Sequence, residues 1–182
     1  MEDQALPPKR LYHVRVGHEI TALLVREPFD DDVAREWDIV GVPLDRGLRL
    51  VHLSHYYTAY WQARRGETRK LDVPVGFPGT FPREAVVASL AAEVPGAASR
   101  QQQPTFAVVM TEYSGGVGGQ WACAFVAGRR VPEAVTINAA LQVLGVHATD
   151  GVDEFDSVGL GRHRSSPEGL DRYVDLCDEL GV

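Results

Sequence analysis

The sequence predicts an α+β fold: a mainly antiparallel or mixed sheet built from hairpins, with four to five helices packed on it. Three observations carry this. Strand-like apolar runs come in neighbouring pairs split by short turn signals. Single helical patterns stand between those pairs. Strict β-α-β-α alternation is missing, which makes a doubly wound sheet the second choice.

Each element has its own signal. Residues 1–9, with Pro7 and Pro8, read as a flexible lead, and 10–182 as a single domain. Alternation over 10–16 and 19–26 predicts a hairpin, with Gly17 supplying the positive φ of its turn. Pro28 ends the second strand. Asp30 or Asp31 then caps a short helix to about Trp37, because a carboxylate accepts from the free N–H groups of a first turn. Residues 39–44 and 48–53 pair around Asp45, Arg46 and Gly47, with Pro43 placing its strand at an edge or shortening it. Ser54 caps a helix to about Arg65, closed by Gly66.

A long irregular connection, 67–79, follows. Thr80 and Pro82 open a helix with Val86, Val87, Leu90 and Val94 at helical spacing, stopped by Pro95 and Gly96. A polar loop leads to strands 105–113 and 120–127. Both are nearly continuous apolar runs, so they belong at the sheet centre, covered on both faces. A helix is expected over 132–144, ended by Gly145, and a short strand near 155–158. Ser165 and Glu168 have the spacing of a capping box for the last helix, whose stripe is Leu170, Tyr173, Val174, Cys177 and Leu180.

Composition narrows the function classes. The chain has 182 residues, 45% hydrophobic and 24% charged, which suits a soluble globular protein. A formal net charge of −7 argues against binding phosphate backbones, so no nucleic-acid partner is expected; the charge permits a basic protein partner, and solubility alone also accounts for it. No apolar run is long enough to span a membrane, and the first residues lack the layout of a secretion signal. Cys123 and Cys177 sit inside apolar periodic stretches with no C-x-x-C pair, which points to reduced, buried thiols and a cytoplasmic location.

Two glycine-containing segments raise the question of ligands. In residues 111–125, Gly115, Gly116, Gly118 and Gly119 lie between two strands. The segment lacks the lysine and hydroxyl of a P-loop and fails the dinucleotide spacing, and no helix follows it. It reads as a hairpin loop; the alternative is a backbone-amide cradle or moving flap, with Tyr113 and Trp121 as an aromatic wall or as core. Ser114 has no nucleophile-elbow context.

The second segment is the better small-ligand candidate. Gly159 and Gly161 precede Arg162, His163 and Arg164, and Ser165 and Ser166 follow at an expected helix start. Free N–H groups, guanidinium groups and hydroxyls are the ingredients of an anion site. The competing reading is that Ser165 and Glu168 satisfy those N–H groups and that the arginines pair with nearby acids.

No metal-ligand spacing or cofactor fingerprint occurs, so neither a metal nor a cofactor is expected. His52 and His55 lack a third ligand in register, and His13 meets His52 only if their strands are neighbours. On the helix after Ser54, Tyr56, Tyr57, Tyr60 and Trp61 wrap more than one buried stripe requires: either some stand at an interface with a partner or, in a homo-oligomer, with a second copy, or the helix is buried between the sheet and the 67–79 connection. Two functions stay open. One is a non-catalytic, inhibitor-like or immunity-like module that binds another protein. The other is an enzyme or sensor for an anionic or phosphorylated small molecule at 159–166.

Overall fold

Three long strands carry the fold: β1 (Gly17–Arg26), β4 (Thr105–Ser114) and β5 (Val117–Val126). Three short ones, β2 (Gly41–Leu44), β3 (Leu48–His52) and β6 (Arg129–Val131), complete a six-stranded sheet. Its order is β2-β3-β1-β4-β5-β6, and every pairing is antiparallel. The structure, a computed structural model, describes residues 17–74, 81–96, 104–114, 117–149 and 151–182. The chain is an α+β protein. Its described residues form six α-helices, one more than the expected upper number: α1 (Asp31–Glu36), α2 (His55–Arg65), α3 (Glu84–Glu93), α4 (Ile137–Val143), α5 (Glu154–Ser157) and α6 (Arg172–Leu180).

The sheet is covered on both faces, which is why its central strands are apolar at consecutive positions. Leu23, Val25, Phe106, Val108 and Phe125 face a core shared with Trp37, Tyr57, Leu90 and Tyr173 from α1, α2, α3 and α6 or their ends. Ala22, Leu24, Ala107, Val109 and Ala124 face the other way, against Ile137, Ala140 and Leu141 of α4 and Val158 and Leu160 beyond it. Along a strand the side chains alternate between these two cores.

Several local signals act as the sequence predicts. Asp30 Oδ1 accepts from the N–H groups of Asp32 and Val33. Ser54 Oγ accepts from Tyr57 N, and Gly66 closes α2 in the left-handed region at φ 66°. β2, with Pro43, is an edge strand.

Others are corrected. Gly17 lies in β1, paired with Ser114, and not in a turn; the expected first strand, 10–16, falls outside the described residues, as do 1–9. α4 starts at Ile137 because Thr136, not the region of Pro132, supplies the cap by accepting from Ala139 N. The expected strand at 155–158 is the short helix α5, whose N–H at Asp156 is capped by Asp153. The Ser165–Glu168 box does not form. Ser165 bridges to Glu19, a 3₁₀ turn covers Glu168–Leu170, and α6 begins only at Arg172.

The aromatic helix α2 is built into the core. Tyr57 is fully buried and donates its hydroxyl to the Trp37 carbonyl at 2.9 Å. Tyr57→Phe leaves that carbonyl without its partner. We expect a loss of about 1–3 kcal/mol in urea unfolding, with the far-UV spectrum unchanged.

Candidate functional site

The face that packs on α1, α2, α3 and α6 is not covered along its whole length. Beyond Leu23 and Val108, the next side chains on that face are Thr21 and Glu19 on β1 and Met110 and Glu112 on β4. On β5 they are Trp121 and Gly119. The register sets these in rows: Thr21 opposite Met110 opposite Trp121, then Glu19 opposite Glu112 opposite Gly119. The sequence thus changes from apolar to acidic where the helices stop. The bare end is the floor of an open cleft of about 740 Å³.

A strip of chain from Ser165 to Asp171 forms one wall, contributing Ser166, Glu168 and Asp171, and Ser54 also lines the cleft. Four carboxylates therefore line the cleft, and no lysine or arginine is among its described lining residues. Gly119 has a specific role in the floor. A Cβ there would lie 2.7 Å from Cζ2 of Trp121, so the indole lies over the space a side chain would take. Gly118 permits close strand approach, since its Cβ would meet the Glu112 carbonyl at 1.8 Å.

The wall is tied to the sheet by main-chain and histidine contacts. Glu19 N donates to the Arg164 carbonyl at 2.8 Å, and Asp45 N to that of Val158 at 3.1 Å. His18 Nε2 is 3.3 Å from the Leu160 carbonyl, which can only accept, so Nε2 carries the proton. Nδ1 of the neutral ring then accepts from the Thr111 hydroxyl at 2.7 Å, and that oxygen accepts from Ile20 N at 3.2 Å. Thr111 is buried. Thr111→Val leaves His18 Nδ1 without its donor, while Ile20 N keeps the Thr111 carbonyl across the β1–β4 ladder, and we expect a loss of about 1–3 kcal/mol by urea unfolding.

Three histidines from three segments gather behind this wall. The rings of His52 and His163 are 6.5 Å apart. Burial, then the charge of His163, pushes His52 down to about 4. His18 is lowered by burial and by Arg164, and His163 by burial, Arg162 and His18. All three are therefore held as neutral rings.

The residues singled out from the sequence are dispersed. Arg162 turns to Asp45, at 2.6 Å, and its guanidinium packs over Gly159, whose φ of 72° and lack of a side chain both suit the position. Arg164 and Gly161 line a different depression, on the opposite sheet face, with His18 and Tyr113. Ser165 and Ser166 line the acidic cleft instead, and His163 faces His52. Gly118 and Gly119 belong to β5 rather than to a flap; Gly115 and Gly116 lie outside the described residues.

Of the aromatic set, Tyr57 is buried, Tyr60 and Trp61 are partly buried against Tyr173, and only Tyr56 is exposed. A contact surface on α2 would rest on that one ring. His55 begins α2, away from the His52–His163 pair, and His13 lies outside the described residues. Cys123 and Cys177 are unpaired and buried, and burial pushes the Cys123 thiol up to about 12, an inert state. Among the described residues, no group of three or more His, Cys, Asp or Glu side chains is placed to hold a metal ion, and no helix is long and apolar enough to cross a membrane.

No protein-family model, curated protein or solved structure matches this chain. The cleft itself was only partly legible. Trp121 stands out as a flanking aromatic. Glu19, Glu112, Glu168 and Asp171 do not, because three separate segments bring them together. The available signal was the interruption of two apolar strands by a glutamate at every matching end.

Proposed function

We propose that this chain is a non-catalytic binding module that receives a basic segment of another protein in the acidic cleft. One observation carries the reading: Glu112 on the floor and Glu168 and Asp171 on the wall line one cleft, and no lysine or arginine is among its described lining residues. Carboxylates converging on one cleft attract a cationic partner and fix its register. The indole of Trp121 adds a face on which a guanidinium or ammonium group is stabilised. An anionic ligand would meet the opposite field in this cleft, and the arginines expected to hold one point to different places.

Such a partner relation is that of an inhibitor-like or immunity-like protein. The cleft offers carboxylates, hydroxyls, an indole and a thioether, and no histidine or cysteine is among its described lining residues. The chemistry on offer is recognition of charge rather than activation of a nucleophile.

Calorimetric titration with an arginine-rich peptide tests this. The wild type binds, more weakly at high salt. The triple variant E112Q/E168Q/D171N binds about 10- to 100-fold more weakly, since each lost charge pair contributes of order 1 kcal/mol. Equal affinity of variant and wild type, or no binding by the wild type, overturns the proposal.

A further inference from the structure

The acidic cleft opens on its β5 side onto a strand edge. β5 pairs with β4 along its whole length, Val117 to Val126, but with β6 only at Ala124, Phe125 and Val126. Among the described residues, no strand neighbours its first half on that side. The turn at Ala127 and Gly128 makes Val126 and Arg129 the closing pair. In an antiparallel ladder every second residue directs its N–H and C=O to the same side. Counting back from Val126, Gly118 and Gln120 direct theirs to the open edge, and both residues are exposed.

From this edge and the charge of the cleft beside it, we propose that the basic segment docks extended, as an added strand along β5 at Gly118 and Gln120. The inference rests on the reading of the cleft as a site for a basic segment and adds its geometry. An added strand lies about 4.8 Å from β5 and about 10 Å from β4. Its cleft-facing side chains pass over Trp121 and Gly119 toward Glu112, the cross-strand neighbour of Gly119. Only a long side chain, met partway by the glutamate, closes that gap, so arginine or lysine at alternate positions is the pattern recognised. The uncharged positions between them face the other side of the sheet. Main-chain bonds to Gly118 and Gln120 hold the segment, and the carboxylates select it.

The test uses the full chain and a peptide of about six residues, a common strand length, alternating arginine and threonine. Two derivatives carry N-methyl groups on one or the other alternate set of amides. One set faces β5, so its methylation weakens binding by at least about tenfold, while the other set leaves affinity within a few-fold. Gln120→Pro removes one outward N–H without touching the β4 ladder, and it weakens the unmodified peptide by about tenfold. If both methylated sets behave alike while the unmodified peptide binds, edge docking is wrong and the charge reading stands. If the unmodified peptide does not bind the wild type, both fall. Should Gln120→Pro fail to fold, the methylated pair still decides.

Discussion

Trp37→Ala is expected to lower the unfolding free energy by about 3–5 kcal/mol, the range for deleting a large aromatic from a packed core. The indole is fully buried at the end of α1 and joins three helices. Its Nε1 donates to Glu93 Oε2 on α3 at 2.9 Å, and the Arg65 guanidinium of α2 stacks over its ring at 3.8 Å. Trp61 tilts against it at 5.5 Å. The substitution therefore leaves a cavity and also frees a carboxylate and a guanidinium that the ring had organised. At about 2–4 °C per kcal/mol for a chain of this size, the melting temperature falls by roughly 6–20 °C. Scanning calorimetry measures it, and a fall of a degree or two would mean that the helical layer does not centre on this residue.

Acid is the second large effect. His52 is lowered to about 4 in the fold, against 6.5 in the unfolded chain. Between those values the unfolded chain binds the proton and the folded chain does not, so stability is complete above 6.5 and is lost as pH falls toward 4. His18 and His163 shift in the same direction. Protonated rings would face one another and Arg162 and Arg164 behind the wall of the cleft, so the 159–171 strip should loosen first. The full shift of His52 corresponds to about 3 kcal/mol, and its partial exposure reduces that to about 1–2. His52→Gln should therefore flatten the fall of the urea midpoint between pH 6.5 and 4. An unchanged slope would show that His52 titrates as it does in the unfolded chain.

The fold was readable where one residue settles a local matter. Asp30, Ser54 and Gly66 act through their own side chain or φ, and Pro43 through its missing N–H, so neighbours a few positions away suffice to predict them. The Ser165–Glu168 spacing failed because a tertiary contact competes with the cap. The chain there bonds to β1 through Glu19, and the helix waits until Arg172. Thr136 prevailed over the region of Pro132 in the same way, with Ala134 buried in the turn before α4.

The cleft depends on register. A glutamate on β1 and one on β4 become neighbours only once the strands pair as Glu19 with Glu112. Their wall comes from a segment some fifty residues further along the chain, and no local pattern contains that information.

The most direct measurement of the account is a backbone and indole NMR titration of the full chain with the arginine-rich peptide. We expect shifts concentrated on Thr21, Met110, Glu112, Gly118, Gln120 and the Trp121 indole N–H, with Tyr56 and the α4 face unmoved. Shifts centred on Tyr56, or on Arg162 and Arg164, with the Trp121 indole silent, would contradict the claim that the bare end of the sheet is the binding site.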